Sequence, residues 1–490
     1  MLQKTMKSNN TLVKNYIYNL VYKILAVFIP IITTPYLSRV LGAENIGIYS
    51  YSLSIVTYFI LFGSLGVTMY GQREIAYVQN DDIKRSKIFF EVFIMKLCAL
   101  SISLILFYFS FCLSSKYSIY YRILTLEVIS NMLDISWFFQ GMENFKQIVI
   151  KNSIVKILSI ICIFTFIKNE NCLLIYFIIY VLSNLFGNMS YWLNLNKYIN
   201  KVKIRELKPL KHLRPALILL IPQIAMEIYT VLDKTMIGII IIDKAEVGYY
   251  EQAQKMVKMA LSIVTSLGTV MMPRMSSIFS SGDKKKLENY IFMSFSFVLF
   301  LAFPITFGLI SITPSFVPIY FGSGYEKVTL LMILISPIII AIGCSNILGI
   351  QYLIPCKKQK EFTISVTIGA MINFVLNIIL IPMLNSIGAS IATVFAEFSV
   401  TITQITLIRK EINFSKILKV AYKYIIASIL MFITSILVGS MISNNILSII
   451  VQIIASLIVY INMLILLKDK MIYEGIRIIK NKLFVKKICK

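Results

Sequence analysis

The chain has 490 residues, of which 58% are hydrophobic and 14% charged. A soluble protein of this size hides its apolar residues behind a skin with about 25% charged residues; that skin is missing, so lipid must solvate most of the exterior. The 48 Lys and Arg against 23 Asp and Glu give +25, an excess that membrane topology absorbs without any nucleic acid.

A spanning helix needs about 20 apolar residues. Apolar runs between charged or Gly/Pro/Asn punctuation predict spans over 15–41, 45–70, 88–113, 117–141, 148–167 and 172–196. Six more follow over 213–242, 246–273, 290–313, 327–353, 361–382 and 386–408, and a last pair over 421–442 and 446–467. The apolar stretch after the basic Met1–Lys14 is longer than a signal-peptide core and has no obvious cleavage site, so the first span is expected to stay. The predicted fold is therefore an all-α polytopic membrane protein of about fourteen helices.

Positive loops stay in the cytoplasm. With the N-terminus inside, 36 Lys and Arg fall in even-numbered loops and termini, against 6 on the other side, Arg39, Lys116, Arg122, Lys168, Lys244 and Lys327. Both termini are therefore expected in the cytoplasm. The seven cysteines contain no C-x-x-C pair, which argues against a metal or redox site, and His212, the one histidine, sits in a basic loop.

The sequence also echoes itself. Ala43-Glu44-Asn45-Ile46-Gly47-Ile48-Tyr49 resembles Ala245-Glu246-Val247-Gly248-Tyr249-Tyr250; Ser64-Leu65-Gly66 recurs as Ser266-Leu267-Gly268, and Arg73 matches Arg274. These matches fall on helices six apart, and an even displacement keeps the same direction through the bilayer, as in parallel-repeat transporters. The expected organisation is a six-helix bundle over 1–212, a second over 213–410, and a helix pair with a basic tail over 411–490.

A charge at mid-bilayer costs about 3 kcal/mol on insertion scales, yet Lys23, Lys96, Lys156, Lys234, Lys255 and Lys258 lie within predicted spans. Snorkelling accounts for Lys23, Lys96 and Lys234, which lie near helix ends; Lys156, Lys258 and, less clearly, Lys255 lie deeper. Glu127, Glu227 and Glu397 are the deep carboxylates. Helical spacing puts Glu127, Ser130 and Asp134 on one face, Glu227, Thr230 and Lys234 on another, and Glu251, Lys255, Lys258 and Ser262 on a third. These stripes are expected to meet across a wet cavity; structural ion pairs such as Glu127 with Lys156 are the competing reading for any one residue. No charge occurs between Lys423 and Lys468, so the last two helices suit either an anchor or a groove for a lipid tail.

Several stretches resemble a known family. Pro35-Tyr36-Leu37-Ser38-Arg39-Val40-Leu41-Gly42 looks like the helix 1 to helix 2 junction of bacterial oligosaccharide and polysaccharide repeat-unit flippases, of the multidrug/oligosaccharidyl-lipid/polysaccharide exporter superfamily. Trp137-Phe138-Phe139-Gln140-Gly141-Met142-Glu143 is similar to that family's W-x-x-Q-G-x-E stretch, and Asp233-Lys234-Thr235-Met236-Ile237-Gly238, Gly248-Tyr249-Tyr250 and Met272-Pro273-Arg274 resemble its helix 7 and 8 signatures. An aromatic belt position also accounts for Trp137, and helix-end turns for the glycines.

The resemblance implies a transporter of the bacterial cytoplasmic membrane, not an enzyme. Its cargo would be a polyprenyl-diphosphate-linked oligosaccharide destined for O-antigen, capsule or a related surface glycan, moved by alternating access. Its partners would be that cargo, membrane lipid and other glycan-assembly membrane proteins. Lys23, Arg39, Lys96, Lys156, Lys255 and Lys258 would clamp the diphosphate. Asp233 and Lys234 would form a gate pair, and Glu127, Glu227 or Glu397 would carry a coupling proton or sodium ion, with no other cofactor. The polyprenyl tail would run along the last two helices. A polymerase or ligase of the same pathway is disfavoured by external loops of about 15 residues at most, and a drug exporter by a cavity that leans positive.

Overall fold

The computed structural model describes residues 2–281 and 283–473. The side chains of residues 2–27, and hence the expected contact of Lys23, lie outside the described set. The described residues form helices, and ten helical segments among them are long and apolar enough to cross a bilayer.

Contacts sort the chain into two compact units, Met1–Gly238 with Ile242–Gly248, and Ile239–Ile241 with Tyr249–Lys490. The first begins with α1 (Leu2–Gly63), which runs through the predicted 41/45 boundary and is kinked at Gly42 (φ 76°, ψ 168°). Glycine reaches that positive φ without a Cβ clash. Leu65 (φ 51°) and Gly66 (φ 74°) then separate α1 from α2 (Val67–Tyr77).

The helix α3 (Asp82–Phe107) is opened by the Asp81 carboxylate, which accepts the Lys84 N–H at 3.0 Å. That bond holds the Asp81 carboxyl below its usual range. A single π-helical turn, Tyr108–Cys112, follows. The span predicted over 117–141 is two helices, α4 (Ser118–Leu133) and α5 (Ser136–Gly141). Next come α6 (Phe145–Phe166), α7 (Leu173–Trp192) and α8 (Leu213–Ile240).

Two packing features hold this unit together. Trp137 is fully buried in a core with Phe89, Phe138 and Tyr191, so its ring does not face lipid as a belt residue's would. The reason is steric: a Cβ on Gly71 would fall 2.4 Å from the indole, and one on Gly141 would fall 2.7 Å from the Gln72 carbonyl, so glycines let α5 lie directly on α2. The two echoed motifs also touch. A Cβ on Gly47 would sit 1.7 Å from the Lys244 carbonyl, and one on Gly248 2.1 Å from the Ala43 carbonyl. Close backbone approach, rather than a helix-end turn, therefore dictates glycine at Gly47, Gly141 and Gly248, and the Trp137 ring dictates it at Gly71.

The second unit contains α9 (Ala245–Ser280), α10 (Lys284–Phe321), α11 (Glu326–Ile335) and α12 (Ile338–Asn346), the last continued by a π-helix over Ile347–Leu353. After these come α13 (Gln359–Leu384), α14 (Ser386–Ile408), α15 (Phe414–Met441) and α16 (Asn445–Leu466). α16 shows most plainly what solvent the protein expects. Its buried face is Ser448, Gln452, Ser456, Tyr460 and Leu464, whereas Ile446, Ile450, Ile453, Leu457 and Ile461 are exposed. Small and polar groups inside with branched apolar groups outside is the arrangement lipid favours and water forbids.

Candidate functional site

In the first unit, the helix break after α4 explains the buried lysine. Ending α4 at Leu133 frees carbonyl groups that bilayer cannot hydrate. Lys96 of α3, 2% exposed, donates from Nζ to the Asp134 carbonyl at 2.9 Å and lies 3.9 Å from its carboxylate, while Trp192 Nε1 donates to the Leu133 carbonyl at 2.8 Å. Asp134 Oδ1 also accepts the Ser136 N–H at 2.8 Å and so starts α5. The Lys96 ammonium is thus engaged in bracing a helix break.

Glu127 is buried on α4 and accepts both Oε contacts from Asn184 Nδ2 of α7, at 3.0 and 3.1 Å. One turn along each helix, Asn188 donates to the Ser130 hydroxyl at 2.9 Å and to its carbonyl at 3.0 Å. The expected polar face of α4 is therefore real and meets a matching amide stripe on α7. Among the other candidates of this unit, Arg39 is exposed, Lys156 and Glu227 are half-buried, and Asp233 is buried. Lys234 is half-buried; as neighbours on α8, Asp233 and Lys234 point about 100° apart.

Three further groups escaped the sequence reading. Glu91, fully buried on α3, accepts the Lys211 ammonium at 2.7 Å, His212 Nε2 at 2.9 Å and the Lys208 N–H at 2.9 Å. His212 Nδ1 meets the Tyr70 hydroxyl at 2.6 Å. Arg85 binds the carbonyls of Gln79 (2.7 Å) and Tyr198 (2.9 Å). Together these side chains stitch the α7–α8 loop onto the start of α3, so the single histidine is a buried fastener. Lys244, counted from the sequence as an external loop charge, is instead buried; its Nζ donates to the Gly238 carbonyl at 2.6 Å and lies 5.1 Å from the Tyr51 ring centre. Burial, with Lys116 nearby, lowers its ammonium below the usual lysine value.

In the second unit, Lys255 is half-buried and Lys258 exposed on α9, and Glu397 is buried on α14. Thr401, one turn beyond Glu397, donates to the Ala341 carbonyl at 2.9 Å, and Gln404 donates to Ser365 at 3.2 Å. A polar stripe thus continues along α14. Among the described residues, no three His, Cys, Asp or Glu side chains are grouped to hold a metal ion.

The chain as a whole is similar to known proteins. The family model described as "Polysaccharide biosynthesis protein" matches residues 12–279, and that of "Lipid II flippase MurJ" matches residues 152–460. A "Putative O-antigen transporter" of Escherichia coli (strain K12) is 24% identical over 412 residues, covering 81% of this chain and 97% of the relative. A solved structure of lipid II flippase MurJ in an inward closed conformation superposes with a TM-score of 0.75 at 19% identity, covering 94% of this chain and all of that one. An inward-facing multidrug transporter of the same superfamily gives a TM-score of 0.61 at 12% identity, over 81% and 96% of the two chains. The family match over more than half the length shows it: the chain belongs to the polysaccharide biosynthesis protein family, among the flippases of the multidrug/oligosaccharidyl-lipid/polysaccharide exporter superfamily.

Proposed function

We propose that this protein is a flippase that carries a polyprenyl-diphosphate-linked oligosaccharide across the bacterial cytoplasmic membrane, in which it is a multi-pass protein. The observation that carries the reading is the pair of family matches, which together cover residues 12–460. Both describe proteins of glycan assembly, and one names a lipid-linked cargo. A transporter rather than an enzyme follows from the same relatives.

The finer reading is a chain of fourteen spans with both termini in the cytoplasm, supported by the 36 to 6 asymmetry of Lys and Arg. A diphosphate is a dense anion, and cations in a medium of low dielectric are its natural ligands. Arg39, Lys156, Lys255 and Lys258, together with Lys23, are our candidates for that clamp; Lys96, the sixth cation of the set, is engaged with Asp134. Glu127, Glu227 or Glu397 carries the coupling ion, Asp233 and Lys234 gate the path, and the polyprenyl tail follows α15 and α16. Other glycan-assembly proteins of the membrane supply and receive the cargo.

Replacing Lys156 and Lys258 with Ala should abolish surface glycan export while the protein still inserts and reaches normal abundance. Export at the wild-type level would exclude this clamp.

A further inference from the structure

The second unit contains a cavity that the transport reading does not use. It has a volume of about 610 Å³ and is walled by the end of α9, the start of α10, the segment after the α12 π-helix and the α14–α15 turn. A neighbouring cleft of about 590 Å³ shares Glu288, Lys410, Glu411 and Ile412 with it and extends to Arg409 and Ser415.

Its charges are unevenly engaged. Glu411 accepts the Tyr352 hydroxyl and the Lys358 ammonium, Glu288 has Lys416 at 3.5 Å, and Asp283 accepts the Lys286 N–H at 3.0 Å. All three acids that line the cavity are thereby partnered. Lys285 and Lys410, also in its wall, have no such partner among the described residues, and neither does Arg409 at the rim. Asp283, bonded only to a backbone N–H among the described residues, keeps its charge, and against it Lys285, Lys410 and Arg409 leave a cationic excess.

Position says what kind of anion it suits. Lys285 opens one candidate span, Leu353 closes another, Ile408 closes a third and Phe414 opens a fourth. All these ends border the cavity, so it lies where headgroups lie. Ile278, Leu287, Ile291 and Ile412 add an apolar wall of the kind that the first carbons of a lipid chain need and a free anion does not.

We propose that this cavity binds a lipid-borne phosphate at headgroup level, with Lys285 and Lys410 on the phosphate and the isoleucine wall on the adjoining chain. Its assignment to the cytoplasmic leaflet rests on the orientation given under the proposed function; the binding chemistry does not. An anionic phospholipid and the sugar-free polyprenyl diphosphate carrier present the same chemistry.

The test is lipid retention by the full-length protein in native mass spectrometry, probed with phosphatidylglycerol, undecaprenyl diphosphate and inorganic pyrophosphate. The site predicts at least tenfold lower retention of one or both lipids in the K285A/K410A double variant, and recovery in K285R/K410R. Loss of only one lipid identifies the source. Unchanged retention, or binding of inorganic pyrophosphate alone, overturns the site. Should the alanine variant fail to fold, Cys356, which lines the cavity, reports on otherwise wild-type protein with the other cysteines replaced. Phosphatidylglycerol nanodiscs should slow its maleimide labelling at least fivefold relative to phosphatidylcholine, and equal rates overturn the proposal. No transport is measured, so failure here leaves the flippase reading intact, and failure of transport leaves this site intact.

Discussion

Replacing Lys96 with Met separates a brace from a cargo contact. The variant removes a charged hydrogen bond of 2.9 Å to the Asp134 carbonyl and an ion pair at 3.9 Å, at a site only 2% exposed. Breaking a buried pair costs about 3–5 kcal/mol, and the partial exposure of the Asp134 carboxylate argues for the lower end, about 3 kcal/mol. With about 2–4 °C per kcal/mol for a unit of this size, the apparent Tm should fall by about 6–12 °C. Scanning fluorimetry in detergent, with Asp134→Asn and the double variant closing the cycle, should show a coupling of about 1–2 kcal/mol. An unchanged Tm with lost export would refute the bracing role and return Lys96 to the cargo.

Other outcomes follow from the same contacts. Gly71→Leu forces a side chain into Trp137, already 2.4 Å from a bare Cβ; folded protein in size-exclusion chromatography should fall sharply, while Gly187→Ala, whose nearest neighbour would be 3.9 Å away, should be tolerated. His212→Phe keeps the ring but removes a donor to Glu91 and the partner of Tyr70, for a loss of about 2–3 kcal/mol by thermal melt; a wild-type melt would contradict the fastener role. Burial pushes the Cys356 thiol up to about 11. The folded state therefore holds it neutral at pH 7, and in protein keeping only that cysteine its labelling rate should rise about tenfold per pH unit up to that value. A rate flat from pH 7 to 9 would contradict it.

Much of this architecture is legible in the sequence because bilayer chemistry is simple. Long apolar runs appear as helices, and the two stretches with the Ala-Glu…Gly pattern meet in a close contact. What the sequence hides is where helices break. Nothing in 117–141 announces that Asp134 ends one helix and starts another, so Lys96 reads as a snorkelling or cargo-facing charge when its partner is a backbone carbonyl 38 positions away. His212 and Lys244 are misread for a related reason. Loop residues pass for solvated charges until tertiary contacts with Glu91 or the Gly238 carbonyl bury them. Glycine in a helix has two causes, turn and close approach, and only coordinates distinguish Gly42 from Gly47.

The most direct measurement of the central claim is a leaflet assay on purified protein in vesicles loaded with a fluorescent polyprenyl-diphosphate oligosaccharide. The account predicts that wild-type protein exchanges the probe between leaflets, and that the K156A/K258A variant, equally inserted and equally folded, exchanges it at a tenth of that rate or less. Vesicles in which wild-type protein leaves the probe where it was placed, or in which the variant matches the wild type, would contradict it.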